Sequence, residues 1–214
     1  MKAITGLTAL VLGASLATMA LAQSEATTET PPAGAGAAAA VSGTAEPAAA
    51  EGGEAVEEEP VEVAEGETVM PSGHDITAVE MVDGRWRNDE GIPTFKVEDG
   101  VVDFATFNGF RRYHAECHVC HGPDGEGSTY APALKNSVLR MDYYDFMQVV
   151  ASGRQGTNSV MPAFGTNKNV WCYIDDIYTY LVAHGTETIG RGRPAERADK
   201  SEEYTAQEDA CMSM

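Results

Sequence analysis

Three stretches of the chain place apolar residues at helical spacing. In the first, Asp103 stands as an N-cap before a helix running from Phe104 towards Cys117, with Gly109, Phe110, Tyr113 and Cys117 on one face. In the second, Asp142 caps a helix from Tyr143 to Ser152. Phe146, Val149 and Val150 form its buried side and Gly153 ends it. Its tyrosines read as half-exposed packing residues. In the third, Asn169 starts a helix from Val170 to His184, stopped by Gly185, with a wide stripe of Trp171, Ile174, Ile177, Tyr178, Leu181 and Val182. Cys172 falls off that stripe, beside Asp176 and Thr179, and is expected to face a surface. Residues 74–102 follow another pattern. Trp86, Ile92, Phe95, Val97, Val101 and Val102 are spread among the turn dipeptides Asp83-Gly84 and Asp99-Gly100. Thr94 to Val97, the turn at Glu98-Asp99-Gly100, and Val101-Val102 predict a short β-hairpin. The expected class is all-α, with that hairpin before the first helix.

The opening of the chain has no such pattern. Lys2 precedes a mostly apolar run from Leu7 to Leu21, and Ala20-Leu21-Ala22 fits a small-residue cleavage site. The run is short and rich in small residues, so residues 1–22 read as an export signal cleaved after about Ala22, with an uncleaved membrane anchor as the alternative. Residues 23–70 are Ala/Glu/Pro-rich, with no aromatic residue and no hydrophobic period. Such a segment buries too little apolar surface to offset its ordering entropy, so a disordered acidic tail is expected there. It reads as a spacer or as a solvated tail with no specific role. Residues 71–214 are left as one domain.

Charge narrows the partners. The chain carries −19 overall. The tail holds 11 Glu and no Lys, Arg or Asp, while residues 71–214 hold 13 basic and 22 acidic residues. The body is therefore acidic in its own right, which excludes nucleic acid and favours a partner with a basic docking face. Ile189-Gly190-Arg191-Gly192-Arg193-Pro194, with Arg197 and Lys200, is a basic island, expected to pair within the molecule.

The chemistry is concentrated in Cys117-His118-Val119-Cys120-His121. Two thiols separated by two residues can each add to one vinyl group of a single porphyrin, and the histidine that follows is placed to ligate its iron. The spacing alone also suits zinc or a redox dithiol. The immediate histidine favours one covalent haem c held by Cys117 and Cys120, with His121 as an axial ligand. An exported protein is the right context, since this haem is attached outside the bacterial cytoplasm. A low-spin electron carrier needs a sixth ligand that stays bound, and methionine sulfur suits it. Met161, in a loop closed by Pro162 between two helices, is the candidate; Met141 and Met147 compete but lie at or within helices. His74 reads as an exposed histidine at the entrance to the domain rather than as a metal ligand. Cys172 and Cys211 remain. Export permits a disulfide between them, pinning Ser201 to Met214 onto the domain, with two free thiols as the alternative.

Gly109-x-x-x-Tyr113-x-x-x-Cys117-x-x-Cys120-His121 resembles the N-terminal helix of class I cytochromes c. In that family the glycine admits a C-terminal helix, to which Ile177 to Leu181 is similar, and the aromatic packs at the same crossing. The resemblance implies that Pro132, in Ala131-Pro132-Ala133-Leu134, lends its carbonyl to the second nitrogen of His121, and that Leu134 packs on the haem. Met-Pro followed by an aromatic resembles the family's distal-ligand motif. Asn108 to His114, the haem motif with Gly122-Pro123-Asp124-Gly125, Met161-Pro162-Ala163-Phe164-Gly165, and Trp171 to Tyr178 with Arg191-Gly192-Arg193-Pro194 resemble a narrower group. These are the four-cysteine c-type cytochromes of bacterial methanol metabolism, of the cytochrome c-553I type. The likeness covers about residues 74–214.

With His121 and Met161 both on the iron, no catalytic turnover of its own is expected, and the cleaved export signal implies a periplasmic protein with no stable membrane insertion; the expected molecule is a monomeric one-electron carrier. The resemblance implies a quinoprotein (PQQ-dependent) alcohol dehydrogenase as its donor and a cytochrome or terminal oxidase as its acceptor. A tightly bound subunit of a dehydrogenase or oxidase complex, and a five-coordinate haem sensor or enzyme, stay open as alternatives.

Overall fold

The computed structural model describes residues 68–156 and 159–214. The expected export signal and nearly all of the expected tail lie outside them. The tail's last residues belong to the fold instead. Met70 is 4% exposed in the core, held by a turn in which Met70 N donates to His74 O and Gly73 N to Met70 O.

Two Asp-Gly hairpins precede the first helix. β1 (Glu80–Val82) pairs antiparallel with β2 (Arg85–Arg87), and β3 (Val97–Glu98) with β4 (Val101–Val102). Both residues of each turn have positive φ: 52° and 73° at Asp83-Gly84, 51° and 82° at Asp99-Gly100. This is the left-handed pair whose twist matches that of the flanking strands. The second hairpin is the expected one, shorter than predicted. The first was legible only as a turn, because Glu80, Met81 and Val82 are all exposed and show no alternation. β7 (Glu196–Arg197) adds parallel to β4.

Asp103 joins the second hairpin to the first helix, α1 (Phe104–Glu116). Its carboxylate accepts from Thr106 N and Thr106 Oγ1, and also from Lys96 N. A short helical turn α2 (His118–His121), a 3-10 turn (Pro123–Gly125) and α3 (Leu134–Arg140) follow. α4 (Tyr143–Ser152) has the predicted bounds, with Asp142 as N-cap and Gly153 after it. Tyr143 is buried and donates to Asp175, whereas Tyr144 is exposed. Among the described residues, no helix is long and apolar enough to cross a membrane.

The third predicted helix is two helices, α5 (Lys168–Trp171) and α6 (Ile174–Gly185). Asn167, not Asn169, is the N-cap, accepting from Asn169 N, and Tyr173 breaks the run with φ −127° and ψ 20°. α6 is the centre of the core. α1 crosses it where Gly109 meets Asp176. A Cβ on Gly109 would sit 1.8 Å from the Asp176 carbonyl oxygen, so only glycine admits this approach. Tyr113 and Tyr180 pack at the same place, with ring centroids 5.6 Å apart.

Asp176 and Thr179 do not lie beside a surface as expected; both are buried. The chain's last helix, α7 (Glu202–Ser213), unforeseen in the sequence, lies over that side. Asp176 accepts from Arg85 on β2, Asn108 on α1 and Tyr204 on α7. Cys172 and Cys211 form a disulfide, Cα atoms 5.7 Å apart, which fastens α7 to the start of α6. Tyr173 Oη donates to Glu208 on the same helix.

Candidate haem site

The haem motif begins where α1 ends. Cys117 is the C-cap, its amide donating to Tyr113 O. The chain turns once more, with Cys120 N and His121 N both donating to Cys117 O, at 3.2 and 3.1 Å. One turn thus carries both thiols and the histidine. Cys117 is half-buried, Cys120 exposed and His121 7% exposed. Gly122, φ 73°, then reverses the chain; a Cβ there would lie 2.3 Å from Gly127 O. Gly127 N donates back to His121 O, closing the loop behind the histidine.

The ring of His121 is oriented by Pro132. Nδ1 donates to the Pro132 carbonyl at 3.0 Å, as the resemblance implied, so Nε2 keeps the lone pair. Burial lowers the imidazole pKa against the pull of that hydrogen bond, and the ring is neutral at pH 7. A neutral, oriented imidazole is what an iron ligand requires.

Leu134 opens α3 and packs half-buried against the core. Met161 lies in a two-residue strand rather than a loop: β6 (Val160–Met161) pairs with β5 (Arg154–Gln155). Its backbone is held against the end of α4, where Gly153 leaves room for Met161 O and Phe164 N donates to Val150 O. Met161 packs against the same core as Cys117, Leu134 and Phe164, and so do Met141 and Met147.

The two other uses of a Cys-x-x-Cys pair fit poorly. Among the described residues no group of three His, Cys, Asp or Glu side chains is placed to hold a metal ion. Burial, followed by the Glu116 charge, pushes the Cys117 thiol up to about 12, opposite to the depressed thiol of a redox dithiol. A haem fits the donor set: two thiols and an imidazole on one turn, the ring oriented by Pro132 so that Nε2 is left for a metal, and Leu134, Met161 and Phe164 half-buried against the same core.

Sequence reading missed the polar groups behind this loop. Asp124 is 5% exposed at φ 58°; Tyr180 Oη donates to it at 3.1 Å, and His114 and Arg191 stand 3.5 and 3.6 Å away. Glu126 pairs with Lys135 at 2.8 Å. The Asp124-Gly125 dipeptide was the available signal, since it marks a left-handed turn residue. Arg191, Arg193 and Arg197 make internal contacts, the last two over the ring of Phe107. His74 is not the exposed residue expected; it bridges Glu90 and Asp142, with 13% of its side chain exposed.

Residues 105–181 match the family described as cytochrome C oxidase, cbb3-type, subunit III. The chain is 65% identical over 158 residues to cytochrome c-553I of Paracoccus denitrificans, covering 72% of this chain and 70% of that one. It is 42% identical over 92 residues to cytochrome c-555 of Methylococcus capsulatus, 42% of this chain and 72% of that one. Among solved structures it is similar to the c-type cytochrome XoxG from Methylobacterium extorquens AM1, with TM-score 0.61 and 53% identity over 64% of this chain and 86% of the other.

Proposed function

The chain belongs to the c-type cytochromes, and from that premise we propose that it is a monomeric periplasmic one-electron carrier between a quinoprotein alcohol dehydrogenase and a cytochrome or terminal oxidase. The family's cofactor is haem c, which supplies a ferric/ferrous couple. Cys117 and Cys120 would anchor it through thioethers and His121 would ligate its iron, with the ring held by Pro132. Leu134 would pack on the macrocycle, and Met161 would supply the second, sulfur ligand. The observation that carries this reading is the hydrogen bond from His121 Nδ1 to Pro132, which leaves Nε2 for a metal at the end of the two-thiol turn. With His121 and Met161 both holding the iron, the bound group would exchange electrons without taking a substrate.

The alcohol-dehydrogenase donor rests on the resemblance to the four-cysteine cytochromes of methanol metabolism and on the identity to cytochrome c-553I. The acidic body favours a basic docking face on the partner. Stopped-flow reduction of the purified holoprotein by candidate dehydrogenases, across ionic strength, tests both points. A fast rate that falls with added salt is expected. A rate indifferent to salt defeats electrostatic docking, and no reduction by any quinoprotein defeats the donor.

The match of residues 105–181 to an oxidase-subunit family favours one other reading, a cytochrome held permanently in a complex. Stoichiometric co-purification with an oxidase or dehydrogenase would establish it in place of the free shuttle.

A further inference from the structure

Two tyrosines at the helix crossing reach out of it in the same direction. Tyr113 on α1 and Tyr180 on α6 are 0% and 1% exposed. Their hydroxyls do not pair with each other. Tyr113 Oη donates to Gly122 O at 2.6 Å, on the residue directly after His121. Tyr180 Oη donates to Asp124 Oδ1 at 3.1 Å, two residues further on. The loop that follows the proximal histidine is thereby tied to α1 and to α6 at once. Gly127 N, donating to His121 O, closes it on the other side.

Packing alone does not require these hydroxyls. Tyr178, on the same helix, is equally buried at 1% and packs against Tyr143 and Phe146, with no protein group hydrogen-bonded to its hydroxyl. Tyr178 thus differs from Tyr113 and Tyr180 in that no protein group of the loop accepts from it. At Tyr113 and Tyr180 the polar ends are spent on the loop.

We propose that Tyr113 and Tyr180 are positioning residues for His121. Their hydroxyls latch the Gly122–Asp124 segment to the α1–α6 crossing and so set the orientation of the axial imidazole and the potential of the iron it binds. The inference rests on His121 being the proximal ligand. Tyr180 has a second effect, because the dipole of its hydroxyl, aimed at the Asp124 carboxylate beside Arg191 and His114, offsets part of that carboxylate's field. Without that donor the carboxylate favours the more positive, oxidised state.

The test uses holoprotein with Tyr113→Phe, Tyr180→Phe, Asp124→Asn and the control Tyr178→Phe. It reads the hyperfine-shifted proton spectrum of the oxidised form, the reduction potential and the melting temperature. Tyr113→Phe and Tyr180→Phe are expected to change the hyperfine pattern, which reports imidazole orientation. Tyr180→Phe lowers the potential, Asp124→Asn raises it, and Tyr178→Phe leaves pattern and potential as in the wild type. Lower melting temperatures with unchanged pattern and potential would reduce the tyrosines to packing residues and overturn the proposal. Equal shifts in Tyr178→Phe would overturn it too. Should Tyr113→Phe fail to accumulate, Tyr180→Phe and Asp124→Asn decide. A wild-type spectrum without low-spin histidine ligation is a separate failure, of the functional reading itself.

Discussion

Arg85 donates from Nε to Oδ1 of Asp176 across 2.7 Å, and only 5% and 0% of the two side chains remain exposed. Asn108 and Tyr204 donate to the other carboxylate oxygen, and the guanidinium lies 4.4 Å above the Tyr204 ring. Removing one partner of such a pair strands a buried charge. Arg85→Met is expected to destabilise the holoprotein by about 3–5 kcal/mol, read by urea denaturation. A loss under about 1 kcal/mol would show the pair to be dispensable.

The same carboxylate sets a pH dependence of unusual sign. Burial pushes Asp176 up to about 6, against Arg85, Tyr204 and Asn108, which pull it down. A folded pKa above the unfolded one means the folded chain binds the proton more tightly. This contribution is full below about pH 4, the unfolded carboxylate range, and is lost as pH rises through about 6. Stability of the wild type minus that of Asp176→Asn should therefore fall between those values. A difference that rises over the same window would reverse the assignment.

His74 contributes with the same sign in a higher window. Burial alone would lower its pKa, but hydrogen bonds and charge from Glu90 and Asp142 outweigh that and hold it above the ordinary histidine value. The bridge stabilises fully below the unfolded histidine pKa and fades as pH rises through the folded one. His74→Ala should lower the melting temperature more in mildly acidic than in alkaline buffer.

Met161→Ala should abolish the sulfur-to-iron charge-transfer band of the oxidised protein and open the iron to carbon monoxide when reduced. Persistence of the band would assign the distal sulfur to Met141 or Met147, which pack against the same core.

The Cys172–Cys211 bridge closes a loop with a sequence separation of 39. The chain-entropy argument assigns such a loop about 4 kcal/mol. A Cys172→Ser, Cys211→Ser double variant should lose on the order of 3–4 kcal/mol while keeping its haem spectrum. Native holoprotein should show no alkylatable thiol until it is reduced, and then two.

Local signals were read well. Asp103 and Asp142 mark the first and second helices because an N-cap acts through its own carboxylate within three residues. Asp99-Gly100 sets its hairpin for the same local reason. The site was legible where chemistry needs fixed spacing, as in Cys117 to His121, and Pro132 was reached through resemblance. What stayed hidden depends on distant partners. Nothing near Asp176 announces that Arg85 and Tyr204 arrive to bury it, and α7 has almost no apolar face to betray a helix. The break at Tyr173 belongs to that same group, since its neighbour Cys172 is bonded to Cys211 and its own hydroxyl to Glu208.

The Asp176 cluster also has a consequence in time. Its bonds join residues 28, 68 and 91 positions apart along the chain, and Asn108 meets Tyr204 across 96. Loop-closure entropy grows with the separation of the joined residues. The closure between Asp176 and Tyr204 is therefore the cheapest of the set, and those that bring Asn108 and Arg85 to the same carboxylate cost more. The last helix can dock on α6 before α1 and the first hairpin do, so the segment farthest from the haem motif in sequence prepares the surface on which the helix of Cys117 lands.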